Sequence, residues 1–365
     1  MLFNYTYVPH QMEKMQGFID FIFDEVWCKA TNSGDFEPSL FDGNKDLKDI
    51  MEHLVWSDTK SGDFFYGYVD RIYGLFATLS KVQIDQFKTW YHANNSIEQV
   101  CKNDPVISIV RYADIKRDFP ELHEQLATFF KGLYASDFLK LAIVKEKIGD
   151  IDDHYKVFMA ENAIGKCPFC GICDVLGVYH TKREAYDHYL PKGLYPFNSI
   201  NFKNLVPTCH TCNSSYKTIQ DPAYTLKDSA GEVHRRKAFY PYSSSGHSID
   251  ICMSVNASDI ESLVPDDIQL SFGPADIAEE IDTWKDVYGI EERYKAKCCS
   301  ASDGRSWLNR VLQESKNYEI TVEAMLKGEL KAAENQPFAD NNFIKKAFLN
   351  GCKDADLFIA DPNVL

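Results

Sequence analysis

Met15, Phe18, Ile22 and Val26 recur at the three- and four-residue spacing that keeps apolar side chains on one helix face. Phe65, Val69, Ile72, Phe76 and Leu79 repeat the pattern. A further apolar segment, "PELHEQLATFFKGLYASDFLKLAIVKEKI", opens with Pro120, where a helix start tolerates proline. The pattern predicts helices through residues 1–160, with the aromatic stripes as core. From Lys166 the periodicity gives way to Cys, Gly, Pro, Asn and His around short apolar pieces. After "RRKAFYPYSSSGHS" the period becomes two. Ile249, Ile251, Met253 and Val255, then Ile268, Leu270 and Phe272, predict two strands that each bury one face. Helical spacing returns from Pro274 with Ile277, Ile281, Trp284 and Tyr288, followed by "RSWLNRVLQESKNYEITVEAML". The expected class is mainly α with a small α+β module. The expected domains are a helical domain over 1–160, a cysteine-rich module over 161–245, and a β-hairpin-like segment with a helical C-terminal region over 246–365. No repeat or low-complexity linker interrupts this layout.

Composition narrows the class. The chain of 365 residues is 45% apolar and 13% aromatic, enough to build cored domains. No apolar run reaches the ~18 residues that span a bilayer, so no membrane partner is expected. The start, "MLFNYTYVPHQMEKMQGF", lacks the basic-then-apolar layout of a secretion signal, which predicts a cytoplasmic protein. Of 11 cysteines, five fall between Cys167 and Cys212. Without a secretion signal, clustered CxxC pairs favour metal over disulfides. The scattered remainder are expected to be free, buried thiols. Net charge is −15, which argues against nucleic acid as a partner of the whole surface. Residues 161–240 differ: ten Lys/Arg against seven Asp/Glu give +3, leaving 29 basic and 47 acidic residues, or −18, elsewhere. The cysteine-rich segment is a mildly basic island.

Two knuckles define that island. "KCPFCG" supplies Cys167 and Cys170, and "NLVPTCHTCNSSYK" supplies Cys209 and Cys212. Four thiolates in two CxxC turns make a closed tetrahedral set, the mark of structural zinc. A redox role for either pair fits poorly with two copies bracketing one insert. Cys173 is an alternative to Cys170 but is expected to be a bystander, and His210 is expected to be exposed. The 38 residues between Cys170 and Cys209 exceed a usual ribbon gap, so something folded sits between.

The insert carries Asp187-His188 in "YDHYLPKGLYPFNSINFKNLVP", with Asn204 near its end and Asn213 after the second knuckle. Neighbouring strand residues point to opposite faces, so Asp187 and His188 can serve one site only where a strand ends or bends. Asparagine and aspartate oxygens are hard ligands that suit Mg²⁺. A neutral imidazole beside such an ion can take a proton from water near pH 7. That combination fits metal-assisted hydrolysis of a phosphodiester.

The stretch "DHYLPKG…NLVPTCHTCN" resembles the HNH (ββα-metal) endonucleases, in the branch with a zinc-bound CxxC pair. The resemblance covers Cys167 to Lys217 and implies a ββα-metal core with zinc knuckles, flanked by helical segments. It implies strands at Asp187-His188 and near Asn204, and a helix starting near Cys212. By position it makes His188 the general base, Asp187 and Asn213 the ligands of a catalytic Mg²⁺ or Mn²⁺, and Asn204 the brace of the loop that orients the base. Lys217 matches the family lysine, though it follows Asn213 by four residues where three is usual. Asn213 stands where many members have histidine, which favours an oxygen-liking ion over zinc there. "DHYLPKGLYP", "FYPY" and "EIDTWKDVYGIEERY" further resemble HNH effectors of bacterial phage-defence systems of the Septu type. That likeness implies an ATPase or sensor subunit as partner and nucleic acid, DNA ahead of RNA, as substrate.

A zinc nucleobase deaminase is excluded, because neither His180 nor His188 is followed two residues later by glutamate. The rival from another class is a non-catalytic zinc module that binds nucleic acid or protein; it accounts for the thiols but not for Asp187, His188, Asn204 and Asn213. "GDIDDHYK" reads as a solvated helix face. "HRRK", His234 to Lys237, reads as a solvated turn able to touch phosphate.

Overall fold

The computed structural model describes residues 1–56, 59–135 and 137–358. The chain is mainly helical with a few short strands, as the spacing of its apolar residues predicts. Among the described residues no helix is long and apolar enough to cross a membrane.

Contacts divide the chain into two compact units. The first comprises Tyr5–Ala163 and Leu176–Ser244. Its helices begin on side-chain caps: Asn44 accepts from the amide of Leu47, Thr59 from Gly62, and Ser80 from Gln83. Each cap satisfies an amide that has no partner inside the helix. The helix expected at Pro120 runs Pro120–Ala135. The apolar faces meet around Trp27, whose indole donates to the Val69 carbonyl at 2.9 Å, with Phe76 and Phe129 packed against its ring.

Residues 176–244 belong to this helical unit and do not form a unit of their own. Phe197 is the physical reason. It sits in the helical core, with its ring centre 5.6 Å from that of Phe23 and 5.3 Å from those of Tyr91 and Phe130. Buried Asn94 adds polar ties, donating to the carbonyls of Val110 and Pro196 and accepting from the Val110 amide. Inside this unit β1 (Tyr186–His188) pairs antiparallel with β2 (Leu205–Pro207), Asp187 opposite Val206 and His188 opposite Leu205. A wide, π-type helix, Thr211–Lys217, follows directly.

The second unit comprises Met1–Asn4, Ile164–Val175 and the chain from Ser245 onward. The two predicted strands form a hairpin, β3 (Asp250–Val255) with β4 (Ile268–Gly273), in register from Asp250↔Gly273 to Val255↔Ile268. Helix Asn342–Asp354 packs on β3, and Gly351 lets its backbone reach the Met253 carbonyl, which a Cβ would meet at 2.6 Å. Residues 164–175 are captured by the C-terminal helices: Trp284 donates to the Phe169 carbonyl, Tyr294 to that of Cys170, and Phe169 stacks on Tyr288. The expectation that the scattered cysteines are buried needs one correction. Cys252 is exposed because the two-residue period of β3 turns it outward with Ser254, and Cys299, the last residue of helix Ile290–Cys299, is half-exposed.

Candidate functional site

The first knuckle closes on Gly171, whose φ of +67° is the left-handed region that favours glycine. Its amide donates to the Cys167 carbonyl at 2.7 Å, and the Cys167 amide donates to that of Cys173 at 2.9 Å. The second knuckle joins β2 to the following helix, and the Cys212 amide donates to the Cys209 sulfur at 3.4 Å. Cys167, Cys170, Cys209 and Cys212 are all buried, and their sulfurs lie within 4.8 Å of one another. Tetrahedral zinc at its usual bond length separates sulfurs by ~3.8 Å, so this set fits a metal ion such as zinc. It is the one such group of His, Cys, Asp or Glu among the described residues. Cys173 stays outside it, 3.9 Å from the Arg293 guanidinium, and His210 is exposed, both as expected.

Asp187 and His188 are the last two residues of β1, which is where adjacent strand residues can turn toward one region. Asp187 is 4% exposed. Its Oδ1 accepts from the Lys217 ammonium at 3.1 Å, and the same ammonium donates to the His188 carbonyl at 2.8 Å. Lys217 has no exposed surface, so it is an internal counter-ion and does not face solvent. Burial raises the Asp187 carboxyl pKa, and the attraction of Lys217 opposes that rise. Its Oδ2 is buried without a protein partner. An oxygen of this kind is a ligand type that Mg²⁺ takes, and such an ion would need further oxygens and waters beside it. Asn213 is half-exposed in the turn after Cys212; the residue of that helix that meets Asp187 is Lys217.

Asn204 is fully buried and closes the neck of the loop between the strands. Its side-chain oxygen accepts from the Leu190 amide at 2.7 Å, and its nitrogen donates to the carbonyls of Leu190 at 3.0 Å and Asn198 at 3.3 Å. Asn204→Ala leaves the two backbone groups of Leu190 and the Asn198 carbonyl without that partner, and buried unpaired groups cost about 1–3 kcal/mol each. The expected loss in urea unfolding is about 2–4 kcal/mol. A loss within 0.5 kcal/mol, the ordinary scatter of surface changes, refutes the bracing role.

That loop sets the imidazole. His188 Nε2 lies 2.8 Å from the Ser199 carbonyl, which only accepts, so the proton is assigned to Nε2 and the lone pair to Nδ1. His188 is 8% exposed, and the Tyr134 ring meets its ring edge-on at 4.8 Å. Burial first, and the charge of Lys192 next, push its pKa down to about 3, so it is neutral at pH 7.

β1 is supported from behind by a residue the sequence reading placed on a solvated face. Asp152 and Asp153 are exposed, but His154 in helix Ile151–Glu161 is buried, with Nδ1 2.5 Å from the Tyr186 hydroxyl. Burial, then the charge of His10, push its pKa down to about 4 from 6.5. Below pH 6.5 the unfolded chain takes a proton that the fold refuses. Stability from this group is therefore complete above about pH 6.5 and falls as pH drops toward 4, by on the order of 3 kcal/mol. Urea titrations across that range should show a shallower pH slope for His154→Gln; equal slopes refute the assignment.

Sequence reasoning overlooked Tyr134 and Lys192 around the imidazole; Lys192 stands inside the quoted "DHYLPKG", but nothing in spacing says which way it turns. In "HRRK", Arg235 donates to the Val100 carbonyl and Arg236 to that of Asp221, while His234 and Lys237 are exposed. No family model, curated protein or solved structure matches the chain.

Proposed function

We propose that this chain is a metal-dependent endonuclease of HNH type that hydrolyses phosphodiester bonds in nucleic acid, DNA ahead of RNA. The observation that carries the reading is the His188 imidazole, tied through Nε2 to the Ser199 carbonyl and next to Asp187 at a strand end. In the proposed reaction Nδ1 takes a proton from the attacking water. As imidazolium forms, the Nε2–H···O=C bond to Ser199 becomes charge-assisted and strengthens. Asn204 keeps that carbonyl in place by holding the loop at Leu190 and Asn198. A divalent ion, Mg²⁺ or Mn²⁺, held by Asp187 Oδ2 and the Asn213 amide oxygen would stabilise charge on the phosphate. The four thiolates hold structural zinc and take no part in the chemistry.

The second reading is a non-catalytic zinc module that binds nucleic acid or protein. It is favoured by the burial of Asp187 and His188, 4% and 8% exposed, since a general base must reach water. Plasmid, single-stranded DNA and tRNA incubated with zinc-loaded protein and Mg²⁺ or Mn²⁺ separate the two. Metal-dependent cleavage of any supports the nuclease. Failure on all three, with candidate partners added, leaves the binding module.

We further propose a role in anti-phage defence, with an ATPase or sensor subunit as partner. The balance of −18 outside residues 161–240 repels free DNA and restrains the enzyme until a partner or trigger engages. Efficient cleavage by the isolated chain at physiological salt would end the restraint idea.

A further inference from the structure

Lys192 lies in the loop after β1, four residues beyond His188, and is half-buried. Its ammonium sits 5.5 Å from the centre of the Tyr134 ring and 3.4 Å from the Lys131 carbonyl. The same Tyr134 ring meets the His188 imidazole edge-on. One aromatic ring is therefore shared by a cation and the candidate base. Among the described residues no carboxylate pairs with Lys192, whereas Lys217 is matched to Asp187. Burial lowers the Lys192 pKa with no counter-charge to restore it. A half-buried ammonium held by a ring and a single carbonyl is stabilised only in part. An anion supplied from outside would complete it.

Resting on the nuclease reading, we propose that Lys192 grips a phosphate of the nucleic-acid backbone at this site, and that Lys217 is the internal counter-ion of Asp187. Lysine suits this as a compact charge on a flexible stem, reaching a non-bridging oxygen without needing a planar partner. The loop that fixes the His188 ring also carries Lys192, so base and phosphate anchor are placed by one segment.

The test uses the full zinc-loaded chain in the His188→Ala background, where bound substrate survives. Binding of a labelled duplex is followed by anisotropy between 50 and 200 mM salt, the range over which phosphate contacts change affinity steeply. Lys192→Gln should lower the slope of log K against log salt by about 0.9, the value of one phosphate contact on duplex DNA. Lys192→Arg should restore it, and exposed Lys81→Gln should leave it unchanged. With His188 present, Lys192→Gln should lower kcat/KM roughly tenfold or more. A parent-like slope in Lys192→Gln overturns the proposal whatever the cleavage assay gives. A reduced slope in a protein that cleaves nothing keeps the phosphate contact and discards the nuclease.

Discussion

His188→Ala should lower cleavage by about two to four orders of magnitude, the usual worth of a positioned general base. Zinc content should not change, because His188 is outside the four-sulfur set. The substitution frees the Ser199 carbonyl and removes the Tyr134 edge contact, at a cost of about 1–3 kcal/mol, so the variant should still fold. Circular dichroism and zinc analysis confirm that before rates are compared. The pH profile offers a second check. A free imidazole loses base activity below about pH 6.5, but His188 has its pKa pushed down to about 3. In wild type the acid limb due to this group should therefore lie well below pH 6.5. A variant that cleaves within tenfold of wild type removes His188 from the chemistry.

Loss of the thiolate set should have the largest effect on stability. Binding to an ordered four-thiolate site contributes directly to folding, because the unfolded chain offers no such arrangement. Cys170→Ser or Cys209→Ser should reduce bound zinc from about one per chain to near zero. The melting temperature should fall by on the order of 10 °C or more. Cys173→Ser should change neither, since its sulfur stands outside the set. Zinc release measured with a chromogenic chelator, beside thermal unfolding, checks both statements. Equal zinc in the Cys209→Ser variant would show that the set is not the binding site. Because the ligands must be thiolates, retention should weaken as pH falls.

The parts legible in the sequence are those governed by local rules. Periods of two and of three to four produced the β3–β4 hairpin and the helix from Pro120, and two-residue spacers marked both knuckles. The alternation of strand faces made a strand end the condition for Asp187 and His188 to share a site, and the two are the last residues of β1. What was not legible depends on distant packing. Nothing local says that Phe197 enters the helical core, and so the grouping of 176–244 with the N-terminal helices stayed hidden. The same holds for Lys217. Its spacing from Asn213 places both near one helix face, but only the fold turns its ammonium inward to Asp187. His154 sat in an acidic run that read as solvated, and the burial of one residue in such a run is a tertiary outcome.

The Lys217–Asp187 pair bears on the order of assembly. A carboxylate sealed at 4% exposure is costly to hold alone, but here an ammonium reached from the next helix already balances it. The chain can therefore complete this region without a divalent ion, and loading of the proposed ion would be a step separate from folding. The proposed ion would meet a resident cation at the same carboxylate, and would have to share Asp187 or displace Lys217. Under that proposal the competition would raise the Mg²⁺ or Mn²⁺ concentration needed for half-maximal activity, while the folded protein keeps the Asp187 charge matched by Lys217.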